Sequence, residues 1–213
     1  MEKTFRLSLI ILMIVVVKYA LAQDYINTAI TYYNRGNDHY TKAEYDPAMS
    51  DLNEAIRLAP NLAVAYLVRG NVYKALGSSD SAINDYTKAI GLPGLGTADL
   101  ANAYVWRGSA HYAKAEYNLA MSDYNKAIRL APSLAAAYAD RGSVYNALGS
   151  YDSAITDYTK AIGLPGLGTA NLAKVYAGRG DVYYSTGSYD SAISSLRAKC
   201  LREVSRFVRR ELG

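Results

Sequence analysis

The chain has one cysteine, two histidines, one tryptophan and two phenylalanines in 213 residues. A lone Cys200 excludes an intrachain disulfide framework and any cysteine-based zinc site. His39 and His111 stand 72 residues apart. No nucleophile–base pair, no cleft-type carboxylate pair and no metal spacing accompanies them, so no catalytic residue, metal ligand or cofactor is expected. Net charge is also scarce: the formal value is +4, and basic residues cluster only in the last turns of the chain. That balance is too mild for a nucleic-acid partner. Long apolar runs are absent except for one, Leu7 to Val17.

That run reads as a targeting signal. Lys3 and Arg6 precede it, and Lys18 and the triplet Ala20-Leu21-Ala22 follow it. A positive start, a short apolar core and a small-residue end mark a secretory signal peptide, residues 1–22, with Gln23 as the mature N-terminus and a short lead at 23–28. An uncleaved anchor is the alternative. An apolar stretch of 11 residues falls short of the roughly 20 that a spanning helix needs, so no stable membrane span is expected after cleavage. The expected location is the periplasm, the cell envelope or the medium.

What the chain has in quantity is tyrosine, 21 residues of it, and half of all residues are apolar (51%). Tyrosine at regular spacing suits half-buried helix faces, with the ring inside and the hydroxyl at water. The spacing is regular. Arg-Gly occurs at 35–36, 69–70, 107–108, 141–142 and 179–180, with glycines 34, 38, 34 and 38 residues apart. Four residues before each glycine is a tyrosine: Tyr32, Tyr66, Tyr104, Tyr138 and Tyr176. Twelve after it is an alanine (Ala48, Ala82, Ala120, Ala154, Ala192), and sixteen after it a bulky residue (Leu52, Tyr86, Tyr124, Tyr158, Leu196). Ala55, Ala89, Ala127 and Ala161 follow in four units, and Pro60 and Pro132 close the first and third.

This frame resembles the tetratricopeptide repeat, a 34-residue helix–turn–helix unit. The resemblance covers 29–206 as five units: 29–62, 63–96, 101–134, 135–168 and 173–206. It implies an all-α fold, a right-handed α-solenoid of stacked helix–turn–helix repeats. Each unit leaves an apolar face that only a neighbour can cover. A glycine inside the first helix costs about 1 kcal/mol of propensity, and is reasonable only where two backbones approach closely.

The decamer AIGLPGLGTA stands at 89–98 and again at 161–170. A glycine-rich phosphate cradle normally follows a strand, and no segment here reads as one. The decamer is therefore read as a connector: Gly-Leu-Pro-Gly breaks one helix and Thr97 or Thr169 caps the next. Residues 81–98 and 153–170 differ only at Asn84 against Thr156, so a two-repeat block has been duplicated.

The five repeat arginines could form an anion ladder. Units one to four, however, carry Asp51, Asp85, Asp123 and Asp157 at one fixed point, so structural Arg–Asp pairs are expected, exposed and worth 0–1 kcal/mol each. Cys200 fills the slot of Ile56, Ile90, Ile128 and Ile162 and is expected to pack. The tail, 197–213, carries apolar residues at helical spacing, among them Cys200, Val204, Phe207 and Val208, and reads as an amphipathic capping helix. A membrane-surface helix is the other reading.

Function in this family usually resides on a concave face lined by first helices, and the resemblance points to the positions three before and one and four after each glycine. Here these are Tyr33, Asn37 and Tyr40; Leu67, Asn71 and Lys74; Val105, Ser109 and Tyr112; Ala139, Ser143 and Asn146; Ala177, Asp181 and Tyr184. Tyr33 stands where a chaperone-tail clamp needs a lysine. The implied function is a non-catalytic protein–protein interaction scaffold outside the cytoplasm that holds a partner peptide or helix, with self-association open. A carbohydrate-active or enzyme-accessory protein with its site in the groove is the alternative. The groove offers only Asp181 as a carboxylate, so no enzyme activity is expected.

Overall fold

The computed structural model describes the backbone of residues 2–211 and the side chains of residues 11–200. Among the described residues there are ten helices and no strand. They are α1 (Glu2–Thr41), α2 (Tyr45–Leu58), α3 (Ala63–Ala75), α4 (Ser79–Gly91), α5 (Thr97–Ala113), α6 (Tyr117–Leu130), α7 (Ala135–Ala147), α8 (Tyr151–Gly163), α9 (Thr169–Ser185) and α10 (Tyr189–Glu211). The architecture is all-α, of the helical-repeat solenoid class. The chain forms two compact units, Met1–Gly94 and Leu95–Gly213. In the first, α1–α2 and α3–α4 are hairpins, and α2 packs on α3. In the second, α5–α6, α7–α8 and α9–α10 are hairpins joined by α6 on α7 and α8 on α9.

Within each hairpin the helices meet at the repeat glycine. A Cβ on Gly70 would lie 2.6 Å from the Tyr86 ring, one on Gly108 2.8 Å from Tyr124, and one on Gly142 3.0 Å from Tyr158. The bulky residue of the second helix is thus seated directly on the missing side chain of the first, and the alanines around it (Ala48, Ala82, Ala120, Ala154) are buried. The turn between the two helices needs one left-handed residue. Gly77, Gly149 and Gly187 supply it in repeats two, four and five (φ 76°, 74° and 75°), but Ala43 and Ala115 take it in repeats one and three (φ 60° and 58°). An L-residue there carries a steric cost of about 1–2 kcal/mol.

The decamers are connectors. They end α4 and α8, turn at Gly94 (φ 101°) and Gly166 (φ 95°), and lead into α5 and α9. Thr97 and Thr169 are not the caps: Gly96 and Gly168 hold the N-cap positions, with no side-chain capping bond. The reason is in the backbone, where the Leu100 and Leu172 amides donate to the Gly96 and Gly168 carbonyls at 2.9 Å, so the helices already begin at those glycines. The four extra residues of the 38-residue spacing go mainly into an added first turn of α5 and α9. Each of these helices has 17 residues against 13 in α3 and α7.

Both chain ends extend a repeat helix. α1 runs unbroken for 40 residues, so the apolar segment, the lead and the first helix of repeat one share one axis. Its described apolar side chains from Ile11 to Leu21 are exposed. Lys3, Arg6 and the start of the apolar run, Leu7 to Ile10, have side chains outside the described residues. Among the described residues, no helix is long and apolar enough to cross a membrane. At the other end, residues 197–211 continue the second helix of repeat five within α10. No glycine or proline interrupts 189–211. Cys200 is exposed and does not pack, and Ile193 and Leu196 are exposed beside it. The side chains of Val204, Phe207 and Val208 lie outside the described residues.

Candidate protein-interaction surface

In repeats one to four the arginine leaves its first helix one residue before the packing glycine and reaches the aspartate one position before the bulky residue of the second helix. The fit is bidentate. Arg69 Nε and Nη2 donate to Asp85 at 2.7 and 2.8 Å, Arg107 to Asp123 at 2.8 and 2.7 Å, and Arg141 to Asp157 at 2.7 and 2.8 Å. Arg35 grips Asp51 in the same way and holds its carboxyl below the usual carboxylate range. The guanidinium also lies over the tyrosine three residues before it, 5.0–5.6 Å from the ring centroid in all five repeats.

Three of the four pairs are not the exposed ones that sequence suggests, whereas Arg35 in repeat one stays 57% exposed over a buried Asp51. Asp123 has a side chain 4% exposed and Arg107 one 14% exposed. Packing of the second helix against the first brings the carboxylate to the guanidinium and removes it from water. A desolvated pair is expensive to break from one side.

His39 and His111 take the place that Tyr73, Tyr145 and Tyr183 hold in the other repeats, and each bonds the glutamate of the following turn, Glu44 or Glu116. Lys114 and His111 together hold the Glu116 carboxyl below its ordinary range. Among the described residues no cluster of His, Cys, Asp and Glu could hold a metal.

The groove residues divide into three kinds. Leu67 and Val105 are buried, each 5% exposed, and Ala139 is buried too, so they offer a partner little surface. Tyr33 and Tyr40 pack half-buried against the core of repeat one. Asn37, Asn71, Ser109, Ser143, Asn146 and Ala177 are half-buried. Asn71 Oδ1 accepts the Tyr86 hydroxyl at 2.7 Å, and Ser143 Oγ accepts that of Tyr158 at 3.2 Å. Lys74, Tyr112, Asp181 and Tyr184 are exposed. Tyr112 leans on Tyr117 with ring centroids 5.7 Å apart, and Tyr184 meets Tyr189 edge-on at 5.6 Å. Tyr117 and Tyr189 escape a reading confined to the first helix, although their recurrence 72 residues apart, with Tyr45 before them, is visible in the sequence.

Solved structures share this fold. A crystal structure of MamA protein is 27% identical, covers 87% of this chain and 97% of that one, and superposes with a TM-score of 0.67. MamA from Desulfovibrio magneticus matches at 20% identity, 84% and 96% coverage and a TM-score of 0.69. YrrB, described as a TPR protein with an unusual peptide-binding site, matches at 19% identity, 84% and 89% coverage and a TM-score of 0.62. No curated protein matches the chain. The tetratricopeptide repeat model matches residues 29–62, 63–93, 101–134, 135–165 and 173–198, the same five hairpins that the Arg-Gly frame builds, and the chain belongs to the tetratricopeptide repeat family.

Proposed function

We propose that the chain is a non-catalytic scaffold outside the cytoplasm that binds a segment of a partner protein on the groove positions of its first helices. The carrying observation is that Tyr112 and Tyr184 stay exposed, 37% and 68%, at equivalent positions in repeats three and five, each propped by a second tyrosine. Rigid aromatics with polar tips are the side chains that dominate binding energy at low entropic cost. Family membership supports an interaction role, and YrrB offers a peptide-binding precedent on the same fold. Export is supported by the charge-flanked apolar segment, whose described side chains are exposed.

The test uses protein isolated from its host, with its N-terminus sequenced; a start at Gln23 is expected, and an intact Met1 start would sink the export reading. Tyr112→Ala with Tyr184→Ala should leave the Tm within a few degrees while a partner captured from envelope extract by the parent is lost. Undiminished capture by the double variant would overturn the groove assignment. Tyr40 is unsuitable for this test, because it packs on the core of repeat one.

A further inference from the structure

Repeat five breaks the arginine rule. Ser195 stands where the other four repeats place aspartate, so the guanidinium edge that elsewhere receives two carboxylate oxygens meets one hydroxyl, with Nε donating to Ser195 Oγ at 3.3 Å. The rest of the assembly is intact. Nη1 donates to Thr159 at 3.1 Å, as Arg69 and Arg141 donate to Asn53 and Asn125 at the same repeat position. Tyr176 and Tyr183 still flank the cation, at 5.6 and 6.0 Å. Beside it opens a hollow of about 270 Å³ lined by Arg179, Tyr183, Asp190, Ser191, Ser194 and Ser195. Asp190 is exposed on that lining and forms no ion pair with Arg179.

We infer that Arg179 and the serines of α10 form a receptor site for a carboxylate group from outside the chain, of the kind an acidic side chain of a partner presents. The guanidinium fork matches a carboxylate in two parallel bonds, and four copies of that match are built into this same chain. The fork in repeat five is already oriented by its two tyrosines and Thr159, so the incoming group takes the place of the missing aspartate while serine hydroxyls supply further donors. Asp190 opposes it by like charge and sets the affinity low. The site is separate from the first-helix groove positions and stands whether or not these bind a partner.

The experiment follows the Nε–Hε NMR signals of the repeat arginines in the full chain while acetate is added at constant ionic strength. The Arg179 signal should shift saturably, with half-saturation in the millimolar range, while those of Arg69, Arg107 and Arg141 stay still. Ser195→Asp restores the internal partner; it should abolish the acetate response and raise the Tm. Asp190→Asn should lower the half-saturating concentration severalfold. The inference falls if the parent shows no saturable shift, or if Ser195→Asp titrates like the parent. It also falls if inorganic phosphate half-saturates the site at a lower concentration than acetate, which would make it a phosphate site.

Discussion

Repeats three and five begin with helices of equal length and the same Tyr-x-x-Arg-Gly frame, yet they use it differently. In repeat three Arg107 is spent on a buried aspartate, Tyr124 is sealed against Gly108, and α7 covers the second helix. In repeat five Arg179 meets a serine, and Leu196 replaces the tyrosine and is 41% exposed. A side chain that consolidates an internal repeat becomes available surface at the terminal one. The difference comes from the residues sixteen positions on and from how far the second helix is covered, while the arginine itself is unchanged.

The largest effect that separates the two repeats should come from the arginines. Arg107→Gln leaves Asp123 buried and unpaired and should cost about 3 kcal/mol, whereas Arg179→Gln loses only hydroxyl contacts and should cost about 1 kcal/mol or less. Denaturant unfolding of the two variants measures both; equal losses would erase the distinction. Next come the glycines. Gly108→Ala drives a methyl into the Tyr124 ring and should destabilise by about 1–2 kcal/mol. Gly180→Ala meets the end of Leu196 at 3.2 Å, which can move outward, and the roughly 1 kcal/mol of helix propensity gained offsets the contact. The smallest change concerns the turn. Ala115→Gly relieves a left-handed alanine that repeat five already avoids with Gly187, and should raise stability by about 0.5 kcal/mol once the looser unfolded chain is counted.

The recurring frame made the helices, their hairpin pairing, the Arg–Asp partnership and the close approach at glycine legible from sequence. A fixed spacing dictates which side chains share a face, and five copies make that spacing unmistakable. The degree of burial was not legible. Asp123 and Val105 look like surface positions by residue type or by family pattern, and only the docking of one helix on another removes them from water. The chain ends misled for a related reason. Cys200 occupies an isoleucine slot, but a slot is buried only if a neighbour exists to cover it. Thr97 has good capping chemistry and lost the position to Gly96, where the helix starts one residue earlier.

The tyrosines seated on the repeat glycines have a consequence at high pH. Burial pushes the phenols of Tyr86, Tyr124 and Tyr158 up from the ordinary value near 10. A raised folded-state value means that their contribution to stability is complete below about pH 10 and drains away as alkali is added. An ultraviolet titration would follow this loss directly. The three seated rings would turn to phenolate late, as the hairpins part, so the absorbance of the chain's commonest aromatic doubles as a gauge of its interior.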